Sequence, residues 1–372
     1  MTTTSPTTTP VPATKMASDR EIEAFADKVF GDLLGALSTY ATTIGAALGW
    51  YEALADAESM TSGELAGATG TDERYAREWL EHQTVSGYLD VADPTAAPTS
   101  RRYVLSPAAA DVLANRDSLA YMAPFSSLLS ALGRNLDGLI EAYRTGAGLG
   151  WHQHGDGARC GQADANRPLF LQLLATEYLA SIEDLHATLT RGARVADVGC
   201  GMGWSSIGIA TAYPGVTVDG YDIDGPSIDR AVANATEAGV ADRVRFHTVD
   251  VGSLEAGGYD LALALECIHD LPDPVSVLAA MRRMVEPDGT VIVMDERVGD
   301  SFTGEGDPVE QLFYGFSLLC CLPDGRNAPQ SVATGTVMRR PTLEAYAHQA
   351  GFTSVDVLPI DHDFFRFYRL NP

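Results

Sequence analysis

The chain has 372 residues, room for two or three domains, and 45% of them are hydrophobic, the composition of a globular protein. Its formal net charge is -25, from 50 acidic and 25 basic side chains. Such a field repels phosphate backbones and anionic headgroups, which argues against nucleic acid and membrane surfaces as partners. No apolar run is long enough to span a bilayer. The five cysteines (Cys160, Cys200, Cys267, Cys320, Cys321) form no CxxC pair and no disulfide framework, so a reducing cytoplasm is the expected compartment.

Residues 1–18 are Thr/Pro-rich and lack the apolar stretch of a signal peptide; a disordered tail is expected there. From Ile22 to Leu54 the apolar positions Phe25, Val29, Leu33, Leu37, Ile44, Leu48 and Tyr51 recur at helical spacing. Thr61 and Glu64 form a capping box opening a short helix that Gly70 ends. Thr71 or Asp72 caps a second helix, whose inward face is expected to carry Tyr75, Ala76, Trp79 and Leu80. Two short strands, Tyr88–Val91 and Arg102–Leu105, precede a helix opened by Ser106-Pro107. Helix, turn, helix and two-stranded wing make a winged helix over 19–115. A DNA-binding regulator that senses a metabolite is therefore the rival reading. The candidate recognition helix sets Asp72, Glu73, Glu78 and Glu81 against Arg74 and Arg77, the wrong sign for a helix among phosphates.

Residues 116–190 read as linker helices and a polar, Gly-rich loop from Arg144 to Asn166 covering the substrate site. Arg144 would anchor an anionic substrate or cap the preceding helix, and Trp151 would line the acceptor pocket. His152, His154 and Asp156 suggest a metal, but an HxH in a polar loop without further close ligands reads as solvated. Pro168 is expected to open the next helix. From 191 to 372, strands alternate with helices, as in a Rossmann-like α/β fold with a mostly parallel sheet. The chain ends in two strands without a crossover helix, expected as an antiparallel hairpin. An apolar insert over 297–340, with Phe313, Tyr314, Phe316 and Leu322, is expected to build the acceptor pocket.

The stretch Arg194 to Asp224 organises this half: a buried strand, a turn with Gly199, Gly201 and Gly203, a helix, and a second strand ending at Asp222. Glycines let the backbone approach a ligand, the helix N-terminus favours a carboxylate, and Asp222 is placed for a ribose diol. Asp197 just ahead of the glycines would repel a pyrophosphate and accept from an ammonium. Asp224 reads as a helix N-cap.

DVGCGMG followed by YDID resembles the first two motifs of the class I S-adenosylmethionine (SAM) dependent methyltransferases. The resemblance implies SAM as cofactor. Asp250 then takes the adenine amine, the Val251 amide a ring nitrogen, and Glu266 faces the methionine end. It also implies an N-terminal winged helix used for homodimerisation, and a small-molecule acceptor. ECIHDLPDP resembles the HDW-type motif of small-molecule O-methyltransferases, with His269 as general base at a pKa near 7 and Asp270 fixing its tautomer. The segment YGFSLLCCLP resembles a bacterial branch that includes enzymes methylating the β-carbon of aryl α-keto acids. Some of that branch hold a metal with the His of the HD motif and a second His. Here Cys320 stands at that second position, so His269 and Cys320 are the metal candidates.

Overall fold

The computed structural model describes residues 17–255 and 257–372; the tail assigned to 1–18 lies, apart from its last two residues, outside them. Ser18 caps the first helix reciprocally with Glu21. The N-terminal unit holds α1 (Asp19–Ala47), α2 (Trp50–Ala55), α3 (Ser62–Thr69), α4 (Glu73–Val85) and α5 (Pro107–Leu113). Its wing is the antiparallel pair β1 (Asp90–Val91) and β2 (Tyr103–Val104). The helix expected to run to Leu54 breaks at Gly49, whose φ of 68° no ordinary helix accommodates. Trp50, Tyr51, Leu54, Leu65, Trp79 and Leu80 form the core of this unit. Tyr75, expected inside, is 76% exposed, although it stands one turn before the buried Trp79 on α4.

Two helices, α6 (Ala123–Gly133) and α7 (Leu136–Thr145), lead into α8 (Gly155–Leu169). Sequence composition suggested a loop where α8 stands. Its glycines serve a close helix crossing instead: a Cβ on Gly161 would meet the Leu128 backbone N of α6 at 2.9 Å. Pro168 does not open a helix but lies inside α8. The turns then widen into a π-helix, Phe170–Tyr178, in keeping with the hydrogen bond that proline removes.

After α9 (Glu183–Arg191) the sheet begins: β3 (Arg194–Val198), α10 (Trp204–Ala212), β4 (Thr217–Asp222), α11 (Gly225–Glu237), β5 (Val244–Thr248) and β6 (Tyr259–Leu265). Then come α12 (Pro274–Met284), β7 (Val285–Glu296), α13 (Pro308–Phe316), a π stretch Ser317–Cys321, α14 (Leu322–Gly325), α15 (Arg340–Gln349), β8 (Ser354–Val357) and β9 (Phe365–Asn371). The seven strands are ordered β5-β4-β3-β6-β7-β9-β8, with β9 antiparallel to both neighbours. Alternation along each strand splits the core. Val195, Leu261, Leu263 and Ile292 face α9, α10 and the π-helix. Ala196, Ala262, Val291 and Val293 face α12 and α15. The strand order reverses between β3 and β6, and ligands of open α/β sheets bind in the crevice at the carboxyl ends of strands at that point.

Candidate active site

A cavity opens there. Its floor is the β3–α10 turn, with Gly199 and Gly201 at φ 71° and 51° and Asp222 at the end of β4. A Cβ on Gly199 would lie 2.7 Å from Cys267 Sγ, so the turn tolerates no side chain. Asp222 Oδ2 accepts from the Gly201 amide at 2.9 Å, and its Oδ1 from the Asp224 amide at 2.8 Å. Burial raises its pKa, partly offset by those amides. Asp224 caps α11, accepting from the Ser227 amide at 3.1 Å.

Glu266 lines the same cavity just past β6. Its backbone is held at φ 54°, costly for a side chain with a Cβ, and its amide donates to Met294 O at 2.8 Å. One carboxylate oxygen accepts from Gln162 at 3.3 Å; the other is buried without a partner. Burial pushes its pKa up to about 7. Trp204 Nε1 is a second buried, unpartnered polar atom on a residue lining the cavity.

The roof was not legible in the sequence. Arg159, Gln162, Asn166 and Phe170 reach the cavity from α8 and the π-helix, joined by Trp151. Arg159 is buried and forks onto Asp224 with bonds of 2.7 and 2.9 Å. The available signal was helical spacing, since residues 159, 162, 163 and 166 share one helix face. Ser205, Met202 and Ser227 complete the lining from the sheet side.

Several expected site residues are elsewhere. Asp197 is buried on the α10 face of β3, where Oδ2 accepts from Ser205 and Ser206 hydroxyls at 2.6 Å each. It braces the turn from behind and does not line the cavity, because the two-residue period of the strand sends it the other way. Asp250 is exposed and caps a short 3-10 turn by accepting from Gly252 at 2.9 Å; Val251 packs into the core. Neither lines the cavity. Arg144 pairs with Glu141 on its own helix at the surface. Tyr314 accepts from Arg339 at 3.2 Å, and Phe316 packs against Phe125. His154 turns inward against Asn135 at 3.1 Å, and the trio with His152 and Asp156 forms no ligand cluster among the described residues.

His269 stands on the 3-10 turn Ile268–Asp270, just beyond Glu266, and is buried. Nδ1 lies 2.8 Å from Asp295 Oδ1 and 2.9 Å from Glu296 Oε2, both at the end of β7; Nε2 lies 3.3 Å from Asp270 Oδ1. Burial opposes charge on the ring, but Asp270, Glu296 and Asp295 outweigh it and hold the pKa well above the ordinary value. The expectation of a pKa near 7 is corrected: in the free protein the ring is an imidazolium. Burial likewise drives Glu296 up to a neutral acid; at Asp295 His269 and neighbouring hydrogen bonds overcome burial and keep the carboxylate ionised. Cys320, the metal candidate, packs with Leu128 and Leu132 away from His269. Cys321 lies beside His269 and Asp270 instead. The cysteines sit on the π stretch, whose extra residue per turn shifts the facing position by one.

On α4, Arg74 pairs with Glu78 and Arg77 with Glu73, so neither positive charge is free for phosphate.

A seven-stranded Rossmann-like sheet with an antiparallel terminal strand, behind a helical winged-helix unit, defines a class I methyltransferase architecture. The comparisons agree. Residues 189–314 match the model of a methyltransferase domain, and residues 36–115 that of an Rv2258c-like winged HTH domain. Over 104 residues the chain is 38% identical to a ubiquinone biosynthesis O-methyltransferase of Paracidovorax citrulli, which covers 27% of this chain and 42% of that protein. It is 35% identical over 122 residues to a 27-O-demethylrifamycin SV methyltransferase of Amycolatopsis mediterranei, covering 32% of this chain and 43% of that one. The chain thus spans less than half the length of these relatives. Among solved structures, the mitomycin 7-O-methyltransferase MmcR superposes with a TM-score of 0.68 at 21% identity, over 95% of this chain and 99% of that one. Human N-acetylserotonin methyltransferase in complex with SAM gives 0.68 at 16% identity, over 96% and 99%. At these identities the likeness is one of fold.

Proposed function

We propose that the protein is a SAM-dependent methyltransferase acting on a small aromatic or enolisable acceptor. The observation that carries this reading is the cavity at the reversal of strand order, where a glycine turn, a strand-end carboxylate and an unpartnered buried Glu266 oxygen converge. SAM presents a carboxylate, an ammonium, a ribose diol and a sulfonium. In this reading Asp222 takes the ribose, Glu266 the ammonium, and the turn of Gly199 and Gly201 lets the chain pass close to the cofactor. Asp250 and Val251 border the adenine end only if the short 3-10 turn after β5 closes onto it. Arg159, already neutralised by Asp224, steers the cofactor carboxylate.

Methyl transfer is an in-line displacement at the sulfonium, so the acceptor must shed a proton as it attacks. His269 is the proposed base, oriented through Nδ1 by Asp295. Like-charge repulsion from a bound sulfonium would oppose charge on the ring and favour the neutral base. Trp151 is the proposed contact to the acceptor. Oxygen as the methylated atom is supported by the names of the relatives, two of which also point to antibiotic biosynthesis as a setting.

The division into a dimerisation unit (19–115), a connector (116–190) and a cofactor-binding unit (191–372) belongs to the same proposal, as does a cytoplasmic location. Homodimerisation is supported by α1, on which Ile22, Phe25, Val29, Phe30 and Leu33 are each more than half exposed. No helix among the described residues is long and apolar enough to cross a membrane.

The deciding experiment incubates the protein with SAM and a panel of phenols, catechols and aryl pyruvates, with mass spectrometry of the products. A product heavier by one methyl, with fragmentation placing it on oxygen, is expected. SAM bound but unconsumed across the panel, with duplex DNA retained at low salt, would favour the regulator.

A further inference from the structure

His269 has two different surroundings on its two nitrogens. On Nδ1, Asp295 and Glu296 stand at 2.8 and 2.9 Å, hydrogen-bonding distances, in a sealed pocket. On Nε2, Asp270 Oδ1 stands at 3.3 Å and makes no hydrogen bond, although that oxygen is buried. Cys321 Sγ completes a triangle in which all three ligand atoms lie within 4.8 Å of one another.

The two sides correspond to the two shells of a metal centre. A ligating imidazole donates its other nitrogen to a carboxylate, which fixes ring and tautomer, and Asp295 is placed to do this at Nδ1, with Glu296 close by. A tetrahedral ion with bonds of about 2.0–2.1 Å to N and O sets those two ligands about 3.3 Å apart, the spacing of Nε2 and Asp270 Oδ1. That spacing is poor for a hydrogen bond and right for the edge of a coordination tetrahedron. Asp270 retains 34% of its side-chain exposure and Cys321 is half-buried, so the triangle has an open side.

We propose that His269, Asp270 and Cys321 hold a zinc-class divalent ion, with three protein ligands and the fourth position open. Imidazole, carboxylate and thiolate together favour Zn2+, or Fe2+, over Mg2+ or Ca2+. The metal implied by the sequence resemblance thus fits this chain, but through Cys321 and Asp270 rather than Cys320. When bound, the ion supplies a positive charge against which an acceptor oxygen ionises. Nε2 cannot carry a proton and a metal together, so the loaded protein would handle the acceptor proton differently from the His269-base scheme above. The site stands independently of the methyltransferase reading, because the test below reads the metal itself.

The test is titration of chelator-stripped protein with Co2+, followed by absorption spectroscopy. Thiolate ligation produces an intense near-ultraviolet charge-transfer band beside the visible ligand-field bands. One equivalent of Co2+, displaced by Zn2+, is expected. Cys321→Ser should abolish the charge-transfer band, Cys320→Ser should leave it intact, and His269→Gln should lose Co2+ affinity at least tenfold. Near-ultraviolet circular dichroism of each variant checks its fold. If Cys321→Ser fails to fold, iodoacetamide protection of Cys321 by Zn2+ in the unaltered protein replaces it. Absence of saturable Co2+ binding, a spectrum without the thiolate band, or a thiolate band lost in Cys320→Ser would each overturn the proposal.

Discussion

Glu266 combines a costly backbone angle with a buried carboxyl whose pKa burial pushes up to about 7. In the free protein its folded pKa lies above the unfolded one. Its stabilising contribution is therefore complete below about pH 4.5 and is lost as pH rises through about 7. A cationic ligand reverses the preference, since it favours the ionised form. Affinity for S-adenosylhomocysteine, which keeps the ammonium, should therefore rise as pH increases from 6 to 8. Calorimetric titration across that range should show the rise in the unaltered protein and a flat, weaker profile in Glu266→Gln. A slope that survives the substitution would assign the linkage to another group. Asp222 and Glu266 line the cavity as the sequence led one to expect, because their placement depends only on position at a strand end. Asp197 was misplaced by the same reasoning: strand alternation put its carboxylate behind the turn, on the two serines of α10.

At the scale of elements, α1 and α8 carry most of what function adds to the fold. Helical spacing of apolar residues along α1 was plain in the sequence, but spacing alone does not say what the apolar face packs against. In the structure most of the stripe over Ile22–Leu37 faces outward. An apolar stripe of this length is costly in water and is covered in the proposed dimer. Paired substitution Phe30→Glu and Leu33→Glu should convert the dimer to a monomer, read by light scattering at micromolar concentration. A dimer that survives would place the interface elsewhere, with α1 covered by another part of the chain. The long α8 went unseen because glycine and polar residues usually mark loops. Here Gly157 and Gly161 are small so that α8 can lie close against α6, a reason that exists only once both helices are in place. The two π stretches were also invisible: no local composition announces an extra residue per turn, yet one of them decides which cysteine faces His269.

For the whole molecule, the cavity joins the sheet to the connector, with Arg159 of α8 forked onto Asp224 at the start of α11. A ligand there ties both parts together and should stabilise them jointly. At one hundred times its dissociation constant, S-adenosylhomocysteine adds about 2.7 kcal/mol to the free energy of unfolding. For a protein of this size that corresponds to a Tm increase of about 3–4 °C, measurable by differential scanning calorimetry. NAD at equal concentration should leave Tm unchanged, because its pyrophosphate would meet Asp222 and Glu266. Equal stabilisation by NAD would point to a dinucleotide site instead.

The sequence alone determined the fold class, the winged helix and the glycine turn with Asp222. These depend on local periodicity and turn chemistry, which act over a few residues. The tertiary structure alone decided which side chains converge. It assembled the cavity roof from α8, set His269 against Asp295 and Glu296 at the end of β7, and placed Cys321 rather than Cys320 beside it. Those outcomes depend on helix crossings, strand faces and the phase of a π turn, quantities that take a value only when distant segments pack.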